Sequence, residues 1–159
     1  MKYSIENIDE KDIDRIYEIE SKTFTSNWKK ESFVNQLKRE SSLLRVIKNE
    51  NNEIIGYYWV WNIVNEVQVI TVTVTEKFRG KGYGKVLVED IIRISSENNM
   101  LNIYLEVRIS NLTAINLYKK FGFTEYRQIE NYYNKPVENG ICMVKNLGED
   151  NGENIDARD

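Results

Sequence analysis

The heptapeptide Arg79-Gly80-Lys81-Gly82-Tyr83-Gly84-Lys85 constrains this chain more than any other stretch, because of what flanks it. Residues 66–74 are rich in β-branched side chains and read as a strand. Residues 84–97 carry Leu87, Ile91 and Ile94 at helical spacing. Strand, glycine loop and helix in succession belong to a layered α/β architecture and form an anion-binding arrangement. Glycines take positive φ and let a ligand approach the main chain, while the N–H groups of the helix start point at negative charge with the helix dipole behind them. Arg79, Lys81 and Lys85 add positive charge. The same residues also read as a plain strand-to-helix turn with solvated lysines. The loop is not a Walker loop, since GxxxxGK followed by Ser or Thr is absent. Nor is it a dinucleotide fingerprint, because the spacing is G-x-G-x-G and no acidic residue closes a second parallel strand.

The rest of the chain keeps switching period. Ile13, Ile16, Tyr17 and the stretch 20–24 place apolar groups three and four apart, so the first forty residues read as helical, with Asp9 as an N-cap. Thr25-Ser26-Asn27 breaks the pattern before a second short helix carrying Trp28, Phe33 and Leu37, capped by Ser26 or Asn27. The segment between these helices is a candidate recognition loop. Residues 43–47, 54–61 and 66–74 read as three strands in antiparallel succession, separated by Asn-rich turns. Residues 101–107 alternate as a further strand. A helix over 111–121 puts Ala114, Leu117, Tyr118 and Phe121 on one face, and Gly122 ends it in the left-handed conformation. Residues 123–128 and 140–147 read as two closing strands. This order predicts an α/β fold of mixed α+β character, a central mixed β-sheet flanked by helices, with its strand–helix–strand unit crossing right-handed. One domain over residues 1–147 accounts for it, with no internal repeat. Residues 148–159, GEDNGENIDARD, lose apolar content and read as a disordered acidic tail.

Composition narrows the chemistry. The 159 residues suit one domain, and 41% apolar content builds a core without disulfide or structural metal. Lys plus Arg number 22 against 25 Asp plus Glu, a net charge of −3, so the basic excess of a nucleic-acid binder is missing. No histidine is present, which removes Ser-His-Asp and Cys-His catalysis and histidine-ligated metal sites; no metal is expected. Any general base is a carboxylate, Lys, Tyr or water. Cys142 is the sole cysteine, so neither an intramolecular disulfide nor a thiolate zinc site can form. The charged N-terminal segment lacks an apolar signal region, and no membrane-length apolar run occurs, which reads as a soluble cytoplasmic protein.

Arg79-x-x-Gly82-x-Gly84 fits the acetyl-CoA signature of the GNAT acetyltransferases, and the element order resembles that fold over nearly the whole chain. Leu105-Glu106-Val107-Arg108-Ile109-Ser110-Asn111, Ala114-Ile115-Asn116-Leu117-Tyr118, Phe121-Gly122-Phe123 and Asn131-Tyr132-Tyr133 resemble one branch, the RimI-type ribosomal-protein alanine N-acetyltransferases. The resemblance implies acetyl-CoA as cosubstrate and transfer of acetyl to the α-amine of a protein N-terminus by direct attack in a ternary complex. It also implies that the pyrophosphate of CoA sits on the main chain of Gly80, Lys81, Gly82, Tyr83, Gly84 and Lys85, beside Arg79. The main chain of Val72, Thr73 and Val74 would pair with the pantetheine arm, and Asn111 would lie near its thiol end. Thr75-Glu76 stands where Asp-Pro is common and Thr73 where a small Ala is usual, but neither change removes a backbone donor.

Acetyl transfer needs a neutral amine, and a peptide α-amine with a pKa of about 7.7–8.0 is mostly protonated at neutral pH. A base must take that proton, and an acid eases departure of the thiolate. Glu106 lies on the polar side of its strand, opposite Ile103, Leu105 and Val107. Alternation alone reads it equally as a solvated carboxylate, paired with Arg108 or a helix lysine. The resemblance makes it the general base, directly or through water. Tyr118, on an apolar stripe, reads by itself as core packing. The resemblance makes it the acid for the departing sulfur, and a phenol with a pKa near ~10 stays protonated for that task.

Tyr132 and Tyr133 read as residues of a loop before Pro136 that close over a peptide N-terminus or pack on the sheet; Trp28 is a further candidate for binding the substrate, or a hydrophobic staple. Trp59 and Trp61 read as core, Glu66 as a solvated strand-start acid, and Cys142 as a small buried hydrophobe. The resemblance points to the N-terminal alanine of the eighteenth small-subunit ribosomal protein as acceptor, and an acidic enzyme suits such a basic partner. The alternatives are a GNAT enzyme for a small amine, whether polyamine, amino acid or antibiotic, and a non-catalytic acyl-CoA-binding module. The oligomeric state is left open.

Overall fold

The computed structural model describes residues 2–23 and 29–148. Its strands are β1 (Ser4–Asn7), β2 (Ser42–Lys48), β3 (Ile54–Ile63), β4 (Glu66–Val74), β5 (Asn102–Arg108), β6 (Thr124–Tyr133) and β7 (Glu138–Asn146). Its helices are α1 (Ile13–Thr23), α2 (Lys30–Leu37), α3 (Tyr83–Glu97) and α4 (Leu112–Lys120). The strands form one mixed sheet in the order β1-β2-β3-β4-β5-β7-β6. Only β4 and β5 run parallel, joined through α3; the other neighbours are antiparallel. Among the described residues no helix is long and apolar enough to cross a membrane.

Each face of the sheet buries its own core. Leu87 and Ile91 of α3 and Ile115 and Tyr118 of α4 pack on Tyr58, Val69, Ile103 and Leu105. On the other face Ile16 of α1 and Phe33 of α2 pack on Leu44, Val46, Tyr57 and Trp59.

Two irregularities shape the middle of the sheet. Trp59 pairs with Thr71 and Val60 with Val69, so Ile70 is an extra residue, a β-bulge. The bulge reverses the alternation: Val67 and Val69 before it and Val72 and Val74 after it all meet the α3/α4 core. Thr71 and Thr73 instead pair with Trp59 and Tyr57 on the α1/α2 face. Secondly, pairing between β4 and β5 ends at Gln68 and Tyr104, although β4 continues to Val74 and β5 to Arg108. Beyond that pair the strands part, β5 staying with β7 and β4 with β3.

The elements follow the sequence reading with local differences. β1 was not foreseen; it is a four-residue edge strand with only Ile5 partly buried, too short and polar to show a period. Asp9 does cap, but it caps a 3-10 turn, Glu10–Asp12, leading into α1; it accepts from Lys11 N at 3.2 Å, and Asp12 returns the bond to Asp9 N at 3.2 Å. α2 begins behind Lys29, which makes no side-chain cap, so Ser26 and Asn27 are not its N-cap. Those two residues, Trp28 and the tail 149–159 lie outside the described residues. β6 runs on to Tyr133, so Tyr132 and Tyr133 end a strand rather than sit in a loop. Most of β6 is exposed, so no apolar alternation marked its length.

Candidate active site

The glycine loop is built around positive φ. Gly80 and Gly82 sit at 75° and 92°, conformations that an L side chain adopts only at a cost. Gly82 is the N-cap of α3, without a side-chain cap, and the first turn holds no acidic residue. The positive end of a 15-residue helix is therefore left without a carboxylate to neutralise it. Gly80, Lys81, Gly82 and Lys85 are exposed, and Arg79 Nε donates to Val74 O at 2.9 Å, tying the loop to the end of β4. Tyr83 behaves differently: its ring is buried, edge-on to Tyr3 and Phe78, so its main chain alone can serve a ligand. A Cβ on Gly84 would lie 3.5 Å from Leu117 Cδ2, an ordinary contact, so that glycine is not demanded by packing.

Val72, Thr73 and Val74 lie on the part of β4 that has left β5, so their backbone edge faces the opening between the strands. An anionic group fits the loop, and an extended amide-bearing arm fits this one-sided strand edge.

Glu106 stands where the strands part, on the α1/α2 side of the sheet. Gln68 Nε2 donates to its Oε1 at 3.1 Å and its Oε2 at 3.3 Å. Burial raises the carboxyl above its ordinary pKa, and the Gln68 bond opposes that rise. Cys142 of β7 lies directly across from it and is buried. Tyrosines gather on the same side. Burial first and the Glu106 charge after it raise the pKa of the Tyr132 hydroxyl. Tyr133 is raised by burial, then by Tyr132 and Glu106, and Tyr126 by burial, with Cys142 and Glu106 adding to it.

Arg108 does not pair with Glu106. Its guanidinium donates to Asn134 O and Pro136 O, each at 3.0 Å, meets Glu138 at 3.5 Å, and lies 4.5 Å from the centre of the Tyr133 ring. It thus clamps the β6–β7 turn just after the paired Tyr132 and Tyr133 rings at the end of β6, 4.9 Å apart and edge-on.

Tyr118 approaches from the opposite face. It is buried on α4 against Phe123, with ring centres 5.6 Å apart. Burial pushes its hydroxyl up to about 12, and that hydroxyl has no hydrogen-bond partner among the described residues. Asn111 spends its Oδ1 as the N-cap of α4, accepting from Ala114 N at 3.2 Å.

The structure therefore gathers Glu106, Tyr132 and Tyr133 on the α1/α2 side of the sheet, sets Tyr118 in the core of the α3/α4 side, and puts the glycine loop beyond the far end of β4. Sequence reasoning missed Gln68 and the Arg108 clamp. It also missed Glu20, a half-buried carboxyl on α1 that accepts hydrogen bonds from the Tyr57 and Thr73 hydroxyls. Desolvation raises Glu20 to about 7 against those two bonds.

The family model for the acetyltransferase (GNAT) family matches residues 13–123, well over half of the chain. A ribosomal protein bS18 alanine N-acetyltransferase of Haemophilus influenzae is 33% identical over 143 residues, covering 88% of this chain and 96% of its own. An N-alpha-acetyltransferase of Sulfurisphaera tokodaii is 32% identical over 145 residues, covering 83% and 86%. The fold matches the crystal structure of the ribosomal-protein-S18-alanine N-acetyltransferase from Escherichia coli with a TM-score of 0.82 at 24% identity, over 91% of this chain and 94% of that one. A strand opening beside a glycine-capped helix, a family model over residues 13–123 and relatives matched nearly end to end agree: this chain belongs to the GNAT acetyltransferase family, in its RimI-type branch.

Proposed function

We propose that this protein transfers the acetyl group of acetyl-CoA to the α-amine of a protein N-terminus, with the N-terminal alanine of a basic small-subunit ribosomal protein as acceptor. The observation that carries the reading is a half-buried carboxylate, Glu106, held by Gln68 at the point where β4 and β5 stop pairing. Glu106, half-buried and raised, lies on the tyrosine-lined side, and Tyr118 is buried in the core of the α3/α4 side. The names of the relatives support the acceptor class.

In this reading Gly80 to Lys85 hold the pyrophosphate, and the edge of Val72, Thr73 and Val74 aligns the arm so that the thioester reaches the opening. Glu106 takes a proton from the α-ammonium, directly or through water. The amine nitrogen attacks the thioester carbonyl carbon, a C–N bond forms, and the C–S bond breaks with its electron pair going to sulfur. Tyr118 supplies the proton that sulfur takes. The nitrogen loses two protons in all and sulfur keeps one, so each turnover releases one proton. No covalent enzyme intermediate is required. A carboxylate raised towards the pKa of its amine makes a better-matched base than an ordinary surface Glu.

The experiment is thiol release from acetyl-CoA with three acceptors: a peptide beginning with Ala and continuing with basic residues, its Nα-blocked form containing an internal Lys, and spermidine. Mass spectrometry locates the acetyl group. Acetylation of the free α-amine alone is expected. Turnover of spermidine with none of the peptide would leave the family standing and discard the protein acceptor.

A further inference from the structure

Beyond Gln68, towards the start of β4, the same face of the sheet opens into a cavity of about 420 Å³. Ile63 at the end of β3, Val64 of the β3–β4 turn, Glu66, Gln68, Leu101 and Tyr104 form its walls. Gln68 is shared: it is both a wall of this cavity and the hydrogen-bond donor to Glu106, so the cavity adjoins the Glu106 carboxylate through that one side chain.

Its chemistry is mixed in a specific way. Ile63, Val64 and Leu101 are 49%, 85% and 48% exposed, an apolar set left uncovered. Val64 sits at a φ of 57°, in the left-handed region that a β-branched residue enters only under strain, and it presents its side chain to solvent there. Beside them Glu66 accepts from the Tyr104 hydroxyl at 3.3 Å. Among the described residues Glu66 pairs with no cation, and a carboxylate has lone pairs for several further donors.

We propose that this cavity is an acceptor subsite that takes a long cationic side chain, Arg or Lys, from the second or third residue of the chain being acetylated. This rests on the reading of the acceptor as a protein N-terminus. The alkyl stem lies along Ile63 and Leu101 and the charged head meets Glu66, the usual way a long basic side chain divides itself between apolar surface and charge. The spacing sets the position: from Gln68 to Glu66 is two strand residues, about 6.6 Å, which two residues of an extended acceptor span. Adjacency to Glu106 through Gln68 and opposite charge single out the acceptor as occupant.

The test measures kcat and KM for Ala-initiated peptides carrying Arg, norleucine or Glu at the second and, separately, the third position. Wild type, Glu66→Gln and Glu66→Lys are compared, with thermal denaturation and acetyl-CoA binding as checks of folding. For wild type, kcat/KM for the Arg peptide exceeds that for the norleucine peptide about fivefold to tenfold at one of the two positions, through KM. Glu66→Gln brings the ratio to near 1, and Glu66→Lys turns the preference towards Glu. A wild-type preference for Arg that survives in both variants overturns the subsite while leaving N-terminal acetylation intact. Equal wild-type rates for Arg and norleucine at both positions do the same. Failure of every free-amine peptide to accept acetyl overturns the underlying reading and the subsite with it.

Discussion

The Gln68 amide lies within 3.3 Å of both oxygens of Glu106, at the last residue pair that β4 and β5 share before they separate. The strand opening and the proposed base are therefore one structural unit. A hydrogen bond to the ionised form favours it, so Gln68 restrains the rise that burial causes. Gln68→Leu removes that restraint, and the acid limb of kcat/KM against pH moves upward. Glu106→Gln removes the limb itself and lowers kcat by about 10²–10⁴. A limb that stays in place in Gln68→Leu would separate Glu106 from the proton transfer.

Tyr118→Phe separates chemistry from packing. The hydroxyl gives up no hydrogen bond to the described residues, so its loss leaves stability within about 0.5 kcal/mol. If Tyr118 protonates sulfur, kcat falls about 10²-fold while the melting temperature holds. Steady-state kinetics beside thermal denaturation reads both quantities from one preparation. A fall in both would return Tyr118 to the role of core packing.

The two glycines at the start of α3 respond differently to a methyl group. Gly82→Ala places a Cβ on a residue at a φ of 92° and costs about 1–2 kcal/mol, with a higher KM for acetyl-CoA as the loop shifts. Gly84→Ala meets only an ordinary contact with Leu117 and keeps or raises the melting temperature. Denaturation of the two variants in parallel checks the contrast.

Glu20 gives the protein a pH-dependent term in stability. Its folded pKa, about 7, lies above the ordinary 4.5 because desolvation outweighs its bonds to Tyr57 and Thr73. The folded state then holds the proton more tightly than the unfolded state. The resulting stabilisation is complete below about pH 4.5 and is lost as pH rises through 7, by an amount on the order of 2–3 kcal/mol. The melting temperature of wild type relative to Glu20→Gln therefore falls between pH 5 and pH 8. A difference that stays flat across that window would contradict the burial of the charge.

The elements with strong periods were legible in the sequence, and so was the glycine loop, because φ, charge and position between strand and helix all point one way. The inner geometry was hidden for a physical reason. Strict alternation through residues 66–74 places Val72 and Val74 on the same face as Gln68, whereas the bulge at Ile70 puts them on opposite faces. Neither a bulge nor the point where two parallel strands stop pairing leaves a local signature, since both depend on strands far apart in sequence. The partner of Glu106 was misjudged on the same grounds: Arg108 shares its face, but the β6–β7 turn supplies carbonyls that hold the guanidinium away. Tyr132 and Tyr133 were found as a pair and misplaced in a loop, because an exposed edge strand looks polar throughout.

The account turns on which amine receives the acetyl group. The most direct measurement places equal concentrations of an Ala-initiated basic peptide with one internal Lys and of spermidine in a single reaction with acetyl-CoA, and reads the products by tandem mass spectrometry. The account predicts one acetyl group on the peptide α-amine, with the Lys side chain and spermidine unmodified. Acetyl on spermidine or on the Lys side chain, with the α-amine free, would contradict it.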